Sequence, residues 1–178
     1  MAIWDLLGKS QEKPVHELLG GAHRSQVRAY ASYLFGDTPE DTAALAREAV
    51  DLGLSAAKFG WGSFGQDADN DVAHVRAARE ALGDERELMI DAGHVWDWQT
   101  ALERAHLLAP FNPAWLEEPL SQDDRKGYAE LCPQSPIPIA AGEGDVTHWD
   151  FEDLIEHGLQ AGIRDGHSRQ SPCRAALF

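Results

Sequence analysis

The sequence predicts an α/β fold: a partial TIM-type (β/α) barrel holding about five of the eight strands that close such a barrel. Three observations predict it. Short apolar runs begin near positions 27, 54, 87, 114 and 137, and segments of helical periodicity separate them. That serial order builds a parallel sheet with helices packed over it. Three of the runs lead into an acid: Asp91 after Leu88-Met89-Ile90, Glu117 after Trp115-Leu116, and Glu143 after Ile139-Ala140-Ala141-Gly142, with 26 positions from each acid to the next. The interval fits one strand, one helix and two loops, so the acids recur at the same end of successive strands, where β/α folds place their chemistry. Finally, the first β-α turn carries no G-x-G-x-x-G, and no G-x-x-x-x-G-K-[ST] occurs in the chain. A nucleotide-binding open sheet is therefore disfavoured. Acids on three consecutive strands suit a barrel mouth better than a single crevice.

Taken in order, residues 3–19 carry apolar side chains at helical spacing, interrupted near Lys9 to Lys13, and stop at Gly20-Gly21. Residues 27–32 read as a strand. Thr38 is then an N-cap with Pro39 in the first turn and Glu40 and Asp41 suiting the helix dipole. Leu45, Ala46, Ala49 and Leu52 line one face and Gly53 closes the helix. Residues 54–59 form the second strand, followed by a glycine- and aromatic-rich loop over 60–66. The next helix starts near Asp69-Asn70, carries Val72, Val75 and Leu82 inward, and ends at Gly83. Residues 88–91 are the third strand. Asp97 caps a helix whose inner face is Trp98, Ala101, Leu102, Ala105 and Leu108, ended by Pro110. Residues 114–118 are the fourth strand, Ser121 caps the following helix, and 137–141 are the fifth strand. Thr147 opens a last helix to about His157-Gly158.

The chain has 178 residues, 43% hydrophobic and 25% charged, which suits one globular domain with a sizeable core. A net charge of −15 argues against a nucleic-acid or anionic-membrane surface, since phosphates attract Lys and Arg. Cys132 and Cys173 show no metal or redox spacing, and neither a signal peptide nor a long apolar span is seen, so a cytoplasmic location is expected.

Three converging carboxylates repel one another unless a cation sits among them. Oxygen-only ligands favour a hard ion such as magnesium. A lone acid after a strand reads as a surface carboxylate suiting a helix dipole; three in register point to metal. Side chains alternate along a strand, so only one of Glu117 and Glu118 faces the ion. Glu117 is assigned to it, and Glu118 to a supporting role, with Lys58 as one candidate partner. Lys58, near the end of the second strand, is either a solvated surface lysine or, from its place in Ala56-Ala57-Lys58-Phe59, part of the chemistry, the preferred reading. His94, just past Asp91, either touches substrate or is a solvated loop residue. Trp61 and Phe64 either wall the pocket or pack the loop. His16, His23, His74, His106 and His148 form no metal spacing and read as structural or solvated.

Leu18-Leu19-Gly20-Gly21, the Lys58 strand, Asp91, Trp115-Leu116-Glu117-Glu118-Pro119 and Ala141-Gly142-Glu143 together resemble the enolase superfamily. The likeness is to the barrel domain of the mandelate racemase and muconate-lactonizing group, over about residues 2–158. The resemblance implies that Asp91, Glu117 and Glu143 hold magnesium at the ends of the third, fourth and fifth barrel strands. It implies α-proton abstraction from a small carboxylate substrate, a hydroxy or sugar acid, with dehydration favoured over racemisation or epimerisation. Removing such a weakly acidic proton requires stabilising the enediolate, which a metal on the substrate carboxylate does. Lys58 matches the first lysine of the family's Lys-x-Lys strand; the second, the usual base, is Gly60 here. Burial and a neighbouring cation would lower the Lys58 pKa and suit it to act as a base instead. Against the family, the chain is expected to start after an N-terminal capping domain and to stop before the sixth and seventh strands. Residues 1–159 are then the first part of the barrel domain, and polar, aperiodic residues 160–178 a disordered tail, as a frameshift or truncated frame would leave. The alternative reading is an inactive remnant that binds metal at most or self-associates through open sheet edges, giving a homo-oligomer.

Overall fold

The computed structural model describes residues 2–22, 24–157 and 173–175. Helices α1 (Ala2–Gln11) and α2 (Val15–Leu18) come first, parted where Glu12 turns to a positive φ of 52° and Pro14 caps α2. Strands and helices then alternate: β1 (Ala31–Leu34), α3 (Pro39–Asp51), β2 (Ala56–Gly60), α4 (Ala68–Leu82), β3 (Glu87–Asp91), α5 (Trp98–Leu108), β4 (Trp115–Glu117), α6 (Arg125–Leu131), β5 (Ile139–Ala141), α7 (His148–His157) and β6 (Cys173–Ala175). Every neighbouring pair of strands is parallel, in unbroken chain order from β1 to β6. An open doubly wound sheet would reverse its order at a switch point; this one never does, as the wall of a barrel requires.

Caps set most of the helix starts. Thr38 and Asp41 cap each other's backbone N–H groups at α3, with Pro39 in the first turn. Asp97 accepts the Thr100 N–H at α5, as the sequence predicts. Two starts differ. Asp67, rather than Asp69-Asn70, caps α4, accepting the Asn70 N–H. Asp124, rather than Ser121, caps α6, because a turn from Ser121 to Asp124 intervenes before the helix. β1 also begins later than position 27: its register with β2 opens at Ala31↔Ala57, and Val27 is exposed. β6 is a strand that the five-strand reading lacks. It falls in the segment expected to be disordered, of which residues 160–172 and 176–178 lie outside the described residues.

Alternation along the strands sorts the sheet into two faces. Ala57, Phe59, Leu88, Ile90, Leu116 and Ile139 join a buried core with Ala46, Ala49, Val75, Ala78, Ala105 and Leu108 from the helices. The small alanines let helices sit close over the sheet. Lys58, Met89, Asp91 and Glu117, of the opposite parity, share the other face. The chemistry is thus carried on the face of the sheet opposite the one that packs against α3, α4 and α5.

The two rims of the sheet are held differently. At the rim where strands begin, the Arg79 guanidinium donates to the backbone carbonyls of Gly83, Arg86, Phe111 and Asn112, and Arg86 donates to those of Leu54 and Leu82. Two arginines therefore tie three loops together. Burial is the main reason that the Arg79 pKa lies below its ordinary value.

At the rim where strands end, buried His74 closes a ring of hydrogen bonds around Gly36. The Gly36 N–H donates to Thr42 Oγ1, which lies 2.8 Å from His74 Nδ1; His74 Nε2 lies 3.0 Å from Ser63 Oγ, which donates to the Gly36 carbonyl. A neutral imidazole with its hydrogen on Nε2, accepting from the Thr42 hydroxyl and donating to Ser63 Oγ, satisfies every member of this ring. Burial holds the His74 pKa below its ordinary value, outweighing the opposite pull of Glu40 and Asp41. The unfolded chain therefore takes up the proton first. His74 contributes fully above about pH 6.5, the ordinary imidazole value, and less as pH falls toward the folded value. Urea midpoints are expected to drop between pH 7.5 and 5.5, and to drop less in His74→Gln. An equal drop in both proteins would refute the assignment.

Candidate metal centre

Pairing register brings two of the acids side by side. Gly60 pairs with Asp91 and Asp91 with Glu117, so the last residues of β2, β3 and β4 line up across the sheet. Glu143 follows β5 by two residues and reaches the same point from its loop. Carboxylate oxygens of Asp91, Glu117 and Glu143 all lie within 4.8 Å of one another. Asp91 and Glu117 are buried and Glu143 is exposed. Three oxygen donors converging from three strand ends make a cluster that could hold a metal, as the spacing predicts.

Lys58 lies on the same face. Its Nζ is 2.6 Å from Glu117 Oε1 and 3.4 Å from Asp91 Oδ2. Burial alone would lower its pKa, but the Glu117 hydrogen bond and the charges of Glu117, Asp91 and Tyr30 raise it above the ordinary lysine value. The expectation of a lowered value is reversed here: Lys58 is an ammonium group, held by the acids beside it. Burial next to Asp91 pushes the Glu117 carboxyl above its usual range, and donors from Lys58 and Trp115 offset part of that.

Trp115 was missed by sequence reasoning. Its Nε1 donates to Glu117 Oε2 at 2.8 Å, leaving Oε1 to Lys58. The available signal was parity, since residues two apart on a strand share a face. Asp91 is oriented by the Gly93 N–H, which donates to its Oδ1.

Glu118 is buried at 3% exposure with φ of 41°, a strained conformation for a residue with a side chain. Its Oε1 accepts backbone N–H groups from Gly142, Glu143 and Gly144, and its Oε2 lies 2.7 Å from His94 Nε2. Glu118 thus grips the β5 loop and His94. His94, also at positive φ, has its Nδ1 2.9 Å from the Leu120 carbonyl, so both ring nitrogens are engaged. Trp61 is half exposed, and its ring lies over Gly93, where an added Cβ would stand 3.0 Å from the indole. Phe64 is buried and stacks on Phe35. The structure therefore brings Lys58, Asp91, Glu117, Glu143, Glu118, His94 and Trp61 to one rim.

The sequence pattern of the family described as Enolase C-terminal domain-like matches residues 41–165. L-talarate/galactarate dehydratase of Salmonella typhimurium is 37% identical over 160 residues, covering 87% of this chain and 39% of that protein. Arabinonate dehydratase of Saccharolobus solfataricus is 31% identical over 157 residues, covering 86% of this chain and 41% of that one. A crystal structure of an enolase from Bradyrhizobium, complexed with magnesium and mandelic acid, matches with a TM-score of 0.77 at 36% identity, over 88% of this chain and 42% of that one. The chain spans about two fifths of the length of the curated relatives it matches. No helix among the described residues is long and apolar enough to cross a membrane. Serial parallel strands, three acids on successive strand ends and these matches agree: the chain belongs to the enolase superfamily, in its mandelate racemase and muconate-lactonizing group.

Proposed function

We propose that this chain carries the magnesium-binding part of an enolase-type site that abstracts the α-proton of a hydroxy or sugar acid and acts as a dehydratase. The observation that carries this reading is the convergence of Asp91, Glu117 and Glu143 oxygens within 4.8 Å. The donor set fits a hard divalent cation, since every ligand atom is an oxygen and each carboxylate brings negative charge. When bound, magnesium supplies fixed positive charge opposite a substrate carboxylate.

The remaining roles belong to the chain. Lys58, an ammonium between Asp91 and Glu117, offers a second cation to the substrate carboxylate and stabilises negative charge there as the proton leaves. Trp115 holds Glu117 in place. Trp61 and His94 wall the mouth and limit water. Gly60 carries no proton-moving group, so racemisation through a second lysine on β2 is not supported. Dehydratases among the relatives favour the elimination reading. The cell compartment proposed is the cytoplasm.

A second reading, metal binding or self-association without turnover, is favoured by Gly60 and by exposed Ile3, Leu6 and Val27 ahead of the sheet. One experiment separates the two. Manganese(II) is titrated into the chain and into an Asp91→Asn, Glu117→Gln double variant, followed by a sugar-acid screen with magnesium for 2-keto product and α-deuterium. Binding lost in the double variant supports the metal site, and turnover abolished by Glu117→Gln supports the dehydratase. Metal binding without turnover supports the second reading. Unchanged binding in the double variant would refute the ligand assignment.

A further inference from the structure

We infer that Glu118 is a positioning residue that holds the β5 loop in the shape that presents Glu143, and that His94 anchors it from the far side. The inference rests on the metal reading above and adds a part to it.

The sequence shows two adjacent glutamates, and the structure gives them different work. Glu117 points into the cluster. Glu118 bends out of the strand at φ 41° and buries its carboxylate under the neighbouring loop. There Oε1 accepts three successive N–H groups, at 3.2 Å from Gly142, 2.8 Å from Glu143 and 3.4 Å from Gly144. Successive backbone N–H groups aimed at one anion form a nest, and an anion inside it fixes the backbone around it. The middle amide belongs to Glu143, so the loop's one metal-directed side chain leaves from the residue gripped most tightly.

Glu143 is the ligand that most needs such help. Asp91 and Glu117 leave from strands, where sheet hydrogen bonds fix them; Glu143 is exposed and lies beyond the end of β5. The other Glu118 oxygen faces His94 Nε2 at 2.7 Å, and His94 Nδ1 donates to the Leu120 carbonyl at 2.9 Å. The His94 N–H also donates to the Glu118 carbonyl at 2.7 Å. Two residues with strained backbones thus brace one another, which ties the β3 loop to the β5 loop across β4. Strain persists at a site only when surrounding contacts hold it. A residue that orients a ligand without touching the metal typically accounts for about ten- to a hundredfold in affinity.

The test compares Glu118→Ala with Glu118→Gln in the full chain. A glutamine keeps an oxygen for the three N–H groups and can donate its amide hydrogen to a neutral His94, so it preserves the brace while removing the charge. Two readouts are taken: manganese(II) affinity, and hydrogen exchange of the Gly142, Glu143 and Gly144 amides without metal. Glu118→Ala is expected to weaken manganese binding by about ten- to a hundredfold and to speed exchange at those amides. Glu118→Gln is expected to stay much closer to the parent in both. Equal losses in the two variants would mean that Glu118 acts through its charge, and would overturn the inference. So would parental affinity and exchange in Glu118→Ala. If the parent itself bound no manganese, the metal reading would fall, while the exchange comparison would still decide whether Glu118 holds the loop. Should Glu118→Ala fail to fold, Glu118→Gln decides alone, because slow exchange retained without the charge supports the brace and its loss refutes it.

Discussion

Lys58→Met is expected to destabilise the chain in the absence of divalent metal by about 3–5 kcal/mol, the usual result of breaking a buried ion pair from one side. The reason lies in what the ammonium faces. Glu117 is 1% exposed at its side chain, Asp91 8%, and Lys58 donates to both. Methionine fills the same volume but leaves two buried carboxylates facing each other without a cation. Added magnesium should recover part of the loss, since a ligand that binds only the folded state stabilises it by mass action. The thermal midpoint of Lys58→Met is therefore expected to rise more steeply with magnesium concentration than that of the parent. A variant as stable as the parent in chelator, with the same magnesium response, would show that Lys58 does not balance the acids.

Gly60→Lys, which writes the family's second lysine into β2, is expected to damage the site rather than supply a base. A Cβ on residue 60 would stand 2.6 Å from the Asp91 Cβ and 2.9 Å from its carbonyl oxygen. Both are held by the sheet, so neither is a flexible side-chain end that swings aside. Overpacking of this kind costs about 1–3 kcal/mol, and the displaced atom carries a metal-directed carboxylate. Lower urea midpoints and weaker manganese binding are the expected results. Solvent deuterium appearing at the α-carbon of a sugar acid, with stability unchanged, would mean that β2 and β3 part easily and that the glycine only marks a lost base.

The barrel wall and its three acids were legible because they depend on period and interval. Alternation put Asp91 and Glu117 on Lys58's face, and equal spacing put Glu143 at the same rim. What was not legible depended on backbone conformations no pattern records. The Glu118 side chain leaves the strand at a positive φ, so its partners lie one strand over, on the loop of β5. His94 follows from the same bend. The direction of the Lys58 shift also needed the structure, because sequence gives burial and charge but not which of them is nearer. The displaced caps at Asp67 and Asp124 show a simpler limit: where several capping residues crowd one turn, the tertiary path of the chain decides among them.

The two rims also answer acid differently. Below the sheet, loops hang from Arg79 and Arg86, whose guanidinium groups act purely as donors to backbone carbonyls. Above it, they hang from carboxylates and an imidazole: Glu118 under the β5 loop, Asp71 accepting the Gly65 N–H, and His74 closing the ring at Gly36. Acid turns against the fold here at His74, whose imidazole pKa is held below its ordinary value by burial; at Asp71 burial raises the carboxyl pKa and makes the folded chain the better proton acceptor. Mild acid is therefore expected to act first on the ring at Gly36, on the rim that carries the chemistry.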